Sequence, residues 1–350
     1  MKKKLEWLEA MRALAACWVL VHHADLTVSA FVGPLGGGNT VIANGYLGVD
    51  FFFVLSGFII AFSSNRLLET GRGFSDYARA RLIRIYVPYL PIGIAMLLAY
   101  LLFPDFSAAD RVPGVLTSLT LLPTASPPAL SVAWTLIHEL LFYALFSIIF
   151  VSRKALWLLL AGWAILIVAY ASFDQPLQSG WKYVLSPLNL CFLLGVALYY
   201  LTRNGLSAWV PVVGGTFGAI VLVVQAVQTD PNRLLLALAF AGFILSAMSS
   251  WAQRWSPASC VLVVGAAYYS IYLVHNPLES VAIRIVNRLI PGLSPWPAFL
   301  LISAAALLAG LAYYYLYERH ALALARRTFS PAGSVASAAP SSAIAEAKSR

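Results

Sequence analysis

Charge is what this chain has least of. Only 11% of its 350 residues are Asp, Glu, Lys or Arg, against about 25% in a soluble domain. At the same time 61% are hydrophobic, and the mean hydropathy is +0.80. That balance excludes a water-soluble globule. Cysteine is also scarce. Cys17, Cys191 and Cys260 lie in or beside apolar runs without any metal-ligand spacing, so neither a disulfide framework nor a zinc site is expected. The cations are not gathered on one polar segment. The net charge of +9 is scattered between apolar runs, which excludes the basic face of a nucleic-acid reader.

What the chain does have is long apolar runs. A membrane-spanning helix needs roughly 20 apolar residues, and about ten such runs occur, near 8–29, 46–63, 86–103, 132–151, 155–171, 183–201, 208–227, 234–250, 260–281 and 298–317. The expected fold is therefore all-α, a polytopic membrane bundle of about ten transmembrane helices. With both termini cytoplasmic, 18 of the 23 Lys and Arg residues fall on the cytoplasmic side. Arg111, Lys182, Arg233, Arg284 and Arg288 remain outside, as the positive-inside rule prefers. The run "LAAC" at Leu14–Cys17 resembles a lipoprotein processing site, but Glu6, Glu9 and Arg12 precede it, so the first helix is expected to be retained. Residues 104–131, rich in Pro and Ser, make the longest outer loop. Residues 1–327 form one transmembrane domain on this reading. Residues 328–350, rich in Ala, Ser and Pro, form a disordered cytoplasmic tail.

Ionisable groups inside apolar runs are expensive and are functional candidates by default. On the first run Arg12 and His23 are eleven residues apart. On a helix that is three turns plus roughly 20°, so they share a face about 16 Å apart, with His22 roughly 100° away. The second run begins "GYLGVDFFFVLSGFII", with Asp50 near its outer end and Ser56 among glycines suited to close helix packing. In "SDYARARLIRIYVPY", Arg81 and Arg84 lie on one face beside Arg79. Such a group suits a plain cytoplasmic anchor, or a clamp for the phosphates of a nucleotide-bearing acyl carrier. Glu139 lies inside the fourth run, His275 towards the outer end of the ninth, and Glu318 near the inner end of the tenth. By depth the groups fall into two sets: His23, Asp50, Glu139 and His275 outside, and Arg12, Arg81, Arg84 and Glu318 inside. That division suits a two-sided site, with a phosphorylated donor from the cytoplasm and a hydroxyl acceptor from the other side.

At these motifs the sequence resembles membrane acyltransferase family 3, the bacterial surface-glycan O-acyltransferases, in a stand-alone form without an extracytoplasmic domain. The resemblance is carried by Arg12 and His23; by Gly48-Val49-Asp50-Phe51-Phe52 with Leu55-Ser56-Gly57-Phe58; by Arg81 and Arg84; by Trp134-Thr135-Leu136, Glu139 and Phe142-Tyr143; by Ser270, Tyr272-Leu273, His275 and Pro277; and by Glu318-Arg319. It covers about residues 5–325. The sequence departs from the family where "EAMR" stands in place of the usual Asp-Gly-Leu-Arg, and where Pro88 falls one residue late.

The resemblance implies an integral O-acyltransferase of the bacterial inner membrane, most often an O-acetyltransferase, moving an acyl group from acyl-CoA to a polysaccharide or lipid-linked glycan. Acetyl-CoA or another acyl-CoA is then a co-substrate, and no cofactor or metal is bound. Arg79, Arg81 and Arg84 would hold the CoA phosphates. His23 would act as general base. Arg12, Tyr272 or His275 would face the oxyanion, and Asp50 or Glu139 would orient an imidazole. Ser56, Tyr143, Tyr272 and Glu318 would support them. Polar groups at depth and two-sided access also describe a secondary transporter or flippase of a glycan or small anion. The ordered motifs favour the enzyme.

Overall fold

A computed structural model describes residues 2–36, 40–103, 112–171, 180–249 and 252–329. Among these, every regular element is a helix. In order they are α1 (Lys2–Phe31), α2 (Thr40–Ala43), α3 (Gly48–Glu69), α4 (Phe74–Leu102), α5 (Val115–Thr120), α6 (Trp134–Phe146), α7 (Arg153–Ala171), α8 (Trp181–Val184), α9 (Asn189–Thr202), α10 (Trp209–Ala226), α11 (Arg233–Ala247), α12 (Ser259–Ala266), α13 (Tyr268–Leu289), α14 (Pro295–Tyr313) and α15 (Arg319–Phe329). A π-helical turn, Tyr314–Glu318, joins the last two. The expected tail begins two residues inside α15, and its remainder lies outside the described residues, as does the first part of the expected 104–131 loop.

All ten apolar runs are helical. Eight helical segments are long and apolar enough to cross a membrane. A ninth crossing is broken, because α12 and α13 meet at an angle of 71°. The remaining run, 234–250, gives α11, which has only 15 residues. That is about 22 Å of helix, short of a hydrocarbon core about 30 Å thick. The chain is a multi-pass membrane protein. Its outer girdle is apolar and exposed, as at Leu158 and Ile165 on α7 and Ile220 and Val223 on α10. Below, the near face is the side on which α1 begins, and the far face is the other.

Backbone chemistry sets the helix ends. α3 stops at a Schellman cap, where Arg72 N–H reaches Leu67 O at 2.9 Å and Gly71 N–H reaches Leu68 O at 3.2 Å. Gly71 supplies the required left-handed φ of +70°. The Asn232 carboxamide caps α11, accepting from the N–H groups of Leu234 and Leu235. α4 contains Pro88 and Pro91. Pro91 has no N–H for the carbonyl of Val87, and the Tyr317 hydroxyl donates to that carbonyl at 3.1 Å. Tyr313 likewise donates to Pro88 O at 2.8 Å. Tyr313, just before the π-turn, and Tyr317, within it, therefore tie it to the proline-rich stretch of α4.

Between helices in lipid, small residues permit close backbone contact. Gly57 on α3 and Gly195 on α9 lie so near the opposing helix that an added Cβ would sit 2.0 Å from Phe192 O and 2.0 Å from Val54 O, respectively. Beside them Phe53, Phe192 and Phe142 stack in a row, with ring centroids 4.4 and 4.5 Å apart. This rigid block holds α3 and α6, which carry Asp50, Ser56 and Glu139.

Candidate active site

Because α12 is short and then turns, α13 begins with Tyr268 inside the bundle and not at its edge. α1, α3, α4 and α6 surround it, and together with α13 they line an internal cavity. Arg12, Arg84, Ser56, Glu139, Tyr268 and Tyr272 all line it, so residues from five helices converge there.

The guanidiniums gather at the near end. The Cζ atoms of Arg12 and Arg84 lie 5.0 and 5.3 Å from the centroid of the same ring, Tyr268, within cation–π range. Arg84 Nη1 also pairs with Glu318 Oε1 at 2.9 Å, and Ser270 Oγ donates to Glu318 Oε2 at 2.5 Å. Glu318 is fully buried. The π-turn provides for this: its wider winding sets Glu318 facing α4 and α13. Arg81 behaves differently from its expected partner. It donates to Ser63 Oγ, and its Cζ lies 5.7 and 5.4 Å from the rings of Tyr77 and Tyr143. Neither Arg81 nor Arg79 lines the cavity.

In the middle, Tyr143 OH donates to Glu139 Oε1, and Ser56 Oγ approaches the same oxygen at 3.5 Å. Beyond them Tyr272 forms a wall. Its hydroxyl meets Thr135 Oγ1 at 2.8 Å and donates to Val132 O at 3.1 Å. Behind that wall His23 and His275 meet. The Tyr272 and His275 ring centroids are 5.7 Å apart, and those of His275 and His23 are 5.0 Å apart.

The proton positions in this pair follow from the neighbours. A carbonyl oxygen only accepts. His275 Nδ1 lies 3.1 Å from Ile271 O, and His23 Nδ1 lies 3.0 Å from Val19 O. Both Nδ1 atoms therefore carry hydrogen, and in the neutral rings both Nε2 atoms carry the lone pair. His275 Nε2 is 3.4 Å from His23 Nδ1 and accepts from it. The Nε2 of His23 is left as the basic nitrogen. His22 points elsewhere, towards Tyr46, so the helical-phase argument selects the imidazole found in the pair.

Asp50 differs from its expectation. It was expected, with Glu139, as a candidate to orient an imidazole. In the structure its Oδ2 pairs with Arg233 Nη2 at 3.2 Å, and Cys191 Sγ lies 4.0 Å from its other oxygen. The physical reason is proximity: α11 packs on α3 at the far face and brings a guanidinium to a carboxylate that is fully buried. Glu139 is held by Tyr143 and Ser56, with no imidazole among those contacts. Residue patterns alone did not single out Arg233, Tyr268 or Glu279. Arg233 looked like one more far-face cation, 183 residues from its partner. Tyr268 stands in a run of aromatics that reads as packing. Glu279 was visible in the sequence as a carboxylate one turn beyond His275, yet it belongs to none of the motifs.

Two guanidiniums from separate helices thus line one internal cavity, and an imidazole pair lies behind its Tyr272 wall. The chain belongs to acyltransferase family 3: the family model, described as an acyltransferase domain, matches residues 5–315. It is 30% identical over 296 residues to the exopolysaccharide production protein ExoZ of Rhizobium meliloti (strain 1021), a match covering 79% of this chain and 89% of that protein. No solved structure matches it.

Proposed function

We propose that the protein is an O-acyltransferase, in first place an O-acetyltransferase, of the bacterial inner membrane. It takes an acyl group from acyl-CoA at the cytoplasmic near face and places it on a hydroxyl of an exopolysaccharide or lipid-linked glycan at the far face. The observation that carries the reading is the single cavity with Arg12 and Arg84 at one end and, one tyrosine ring beyond its other end, the His23–His275 pair. Similarity to an exopolysaccharide production protein supports the acceptor class.

Arg84, with Arg79 and Arg81 towards the mouth, holds the phosphates of CoA, and the thioester extends into the cavity. His23 Nε2 removes the proton from the acceptor hydroxyl. The oxygen attacks the thioester carbonyl, and Tyr272, at the His23 end of the cavity, faces the oxyanion that forms. The C–S bond then breaks, and the proton passes to the thiolate, releasing CoA. Tyr272 stands between cavity and imidazoles, so its side chain must yield for the two substrates to meet.

Purified protein in nanodiscs, given acetyl-CoA and a glycan extract, tests the scheme by release of free thiol. Glycan-dependent release, abolished in His23→Ala and moved to higher donor KM in Arg84→Ala, is the expected result. No CoA binding or release by folded protein, across several acyl donors, overturns it in favour of transport.

A further inference from the structure

In a base-catalysed transfer the His23–His275 pair becomes cationic as it takes the acceptor proton, and in a bundle interior that charge needs an opposite one. The carboxylates in and around the cavity are already engaged. Asp50 pairs with Arg233, Glu318 with Arg84 and Ser270, and Glu139 accepts from Tyr143. Asp25, two residues beyond His23, turns to Ser29.

One carboxyl group is left over. Glu279 is fully buried, yet neither Oε1 nor Oε2 has a hydrogen-bond partner among the described residues. An unsatisfied buried carboxyl is unfavourable enough to require an explanation. It lies four residues after His275 on α13, hence on the same helix face one turn away, about 5–6 Å between Cβ atoms. Helical side chains lean towards the N-terminus, which tips Glu279 back over the turn that carries His275. Ile283, the next buried residue on that face, packs with Ala24 and Val28 of α1 and Ala298, Phe299 and Ile302 of α14. α14 carries no Asp, Glu, Lys, Arg or His. On α1 the ionisable residues beside His23 are His22 and Asp25, and on α13 Arg284 and Arg288 follow Glu279 by five and nine residues.

We propose that Glu279 is a positioning residue for acyl transfer, supplying through His275 the counter-charge for the imidazolium that forms on the His23–His275 pair. The proposal rests on the acyl-transfer reading above. The carboxylate pairs with a charge that exists only while the proton is held, which accounts for its lack of a partner in the resting arrangement.

The test compares Glu279→Leu, Glu279→Gln and Glu279→Asp with wild type and His23→Ala in the thiol-release assay, alongside thermal unfolding. Glu279→Leu is expected to melt no lower than wild type, since it removes an unsatisfied buried group. Its kcat is expected to fall about ten- to hundredfold with both KM values unchanged, and Glu279→Asp should recover part of the loss. Turnover that depends on His23 but is equal in wild type and Glu279→Leu or Glu279→Gln overturns the proposal and leaves the acyl-transfer reading standing. If Glu279→Leu melts far lower, Glu279→Gln, which keeps the shape, decides: an unchanged kcat overturns the proposal and a reduced kcat at constant KM supports it. Turnover unaffected by His23→Ala overturns both.

Discussion

Arg84 pairs with a buried carboxylate and is proposed to hold the donor phosphates, and the two roles can be separated. Replacing Glu318 by Gln leaves a guanidinium without its buried counter-ion and is expected to destabilise the protein by roughly 3 kcal/mol, read as a lower melting temperature in detergent. The double variant Arg84→Met with Glu318→Met replaces both charges by apolar groups and is expected to regain most of that stability. Its donor KM should nonetheless be raised, because the proposed phosphate contact of Arg84 is gone while only Arg79 and Arg81 remain. At Asp50 the expectation is different. Asp50→Asn removes the partner of Arg233 at the far face, so it should lower stability while leaving the donor KM unchanged. If Asp50→Asn instead raises the donor KM with stability intact, Asp50 serves the donor site and the ion pair is incidental. At this scale much was readable in advance. Helical phase alone joined Arg12 and His23 to one face and set His22 aside. The partners of Asp50 and Glu318 were not readable, because 183 and 234 residues separate the members of those pairs and only packing brings them together.

Helix contacts divide sharply into tight and loose ones. Gly57 has no room for a side chain, whereas Gly162 on α7 has nothing within 4 Å of where its Cβ would be. Gly57→Ala is therefore expected to force α3 from α9 and lower the melting temperature by several degrees, about 2 kcal/mol or more. Gly162→Ala should be neutral or slightly stabilising. Equal effects in a thermal-unfolding comparison would show that the α3–α9 contact is not what holds Ser56 and Asp50 in place. The sequence announced these helices through apolar length. It did not announce the break at Ala267, since residues 260–281 read as one continuous apolar run. Nothing in hydropathy distinguishes a straight span from one that turns after eight residues, and that turn is what delivers Tyr268 to the cavity.

For the molecule as a whole, the arrangement of cations predicts orientation. The chain crosses so that Arg66, Arg72, Arg153 and Arg203 gather on the face where α1 starts, opposite Lys182, Arg233 and Arg288. Cysteines introduced one at a time separate the two sides. Asp230→Cys, between α10 and α11, is expected to react with a membrane-impermeant maleimide in intact spheroplasts. Arg203→Cys, after α9, is expected to react only once the membrane is opened. The reverse pattern would invert the donor and acceptor faces.

The π-turn at Tyr314–Glu318 has a consequence for chain length. Such a turn holds one residue more than the α-helical path it replaces. Removing one residue there would let the helix close up, but everything beyond would rotate by about 100°. Leu322 would leave its buried position and Glu318 would turn away from Arg84 together. No series of substitutions mimics that change. The Arg84–Glu318 pair is written in the length of the chain as well as in its letters, and deletion scanning can find it where alanine scanning would see only a lost charge.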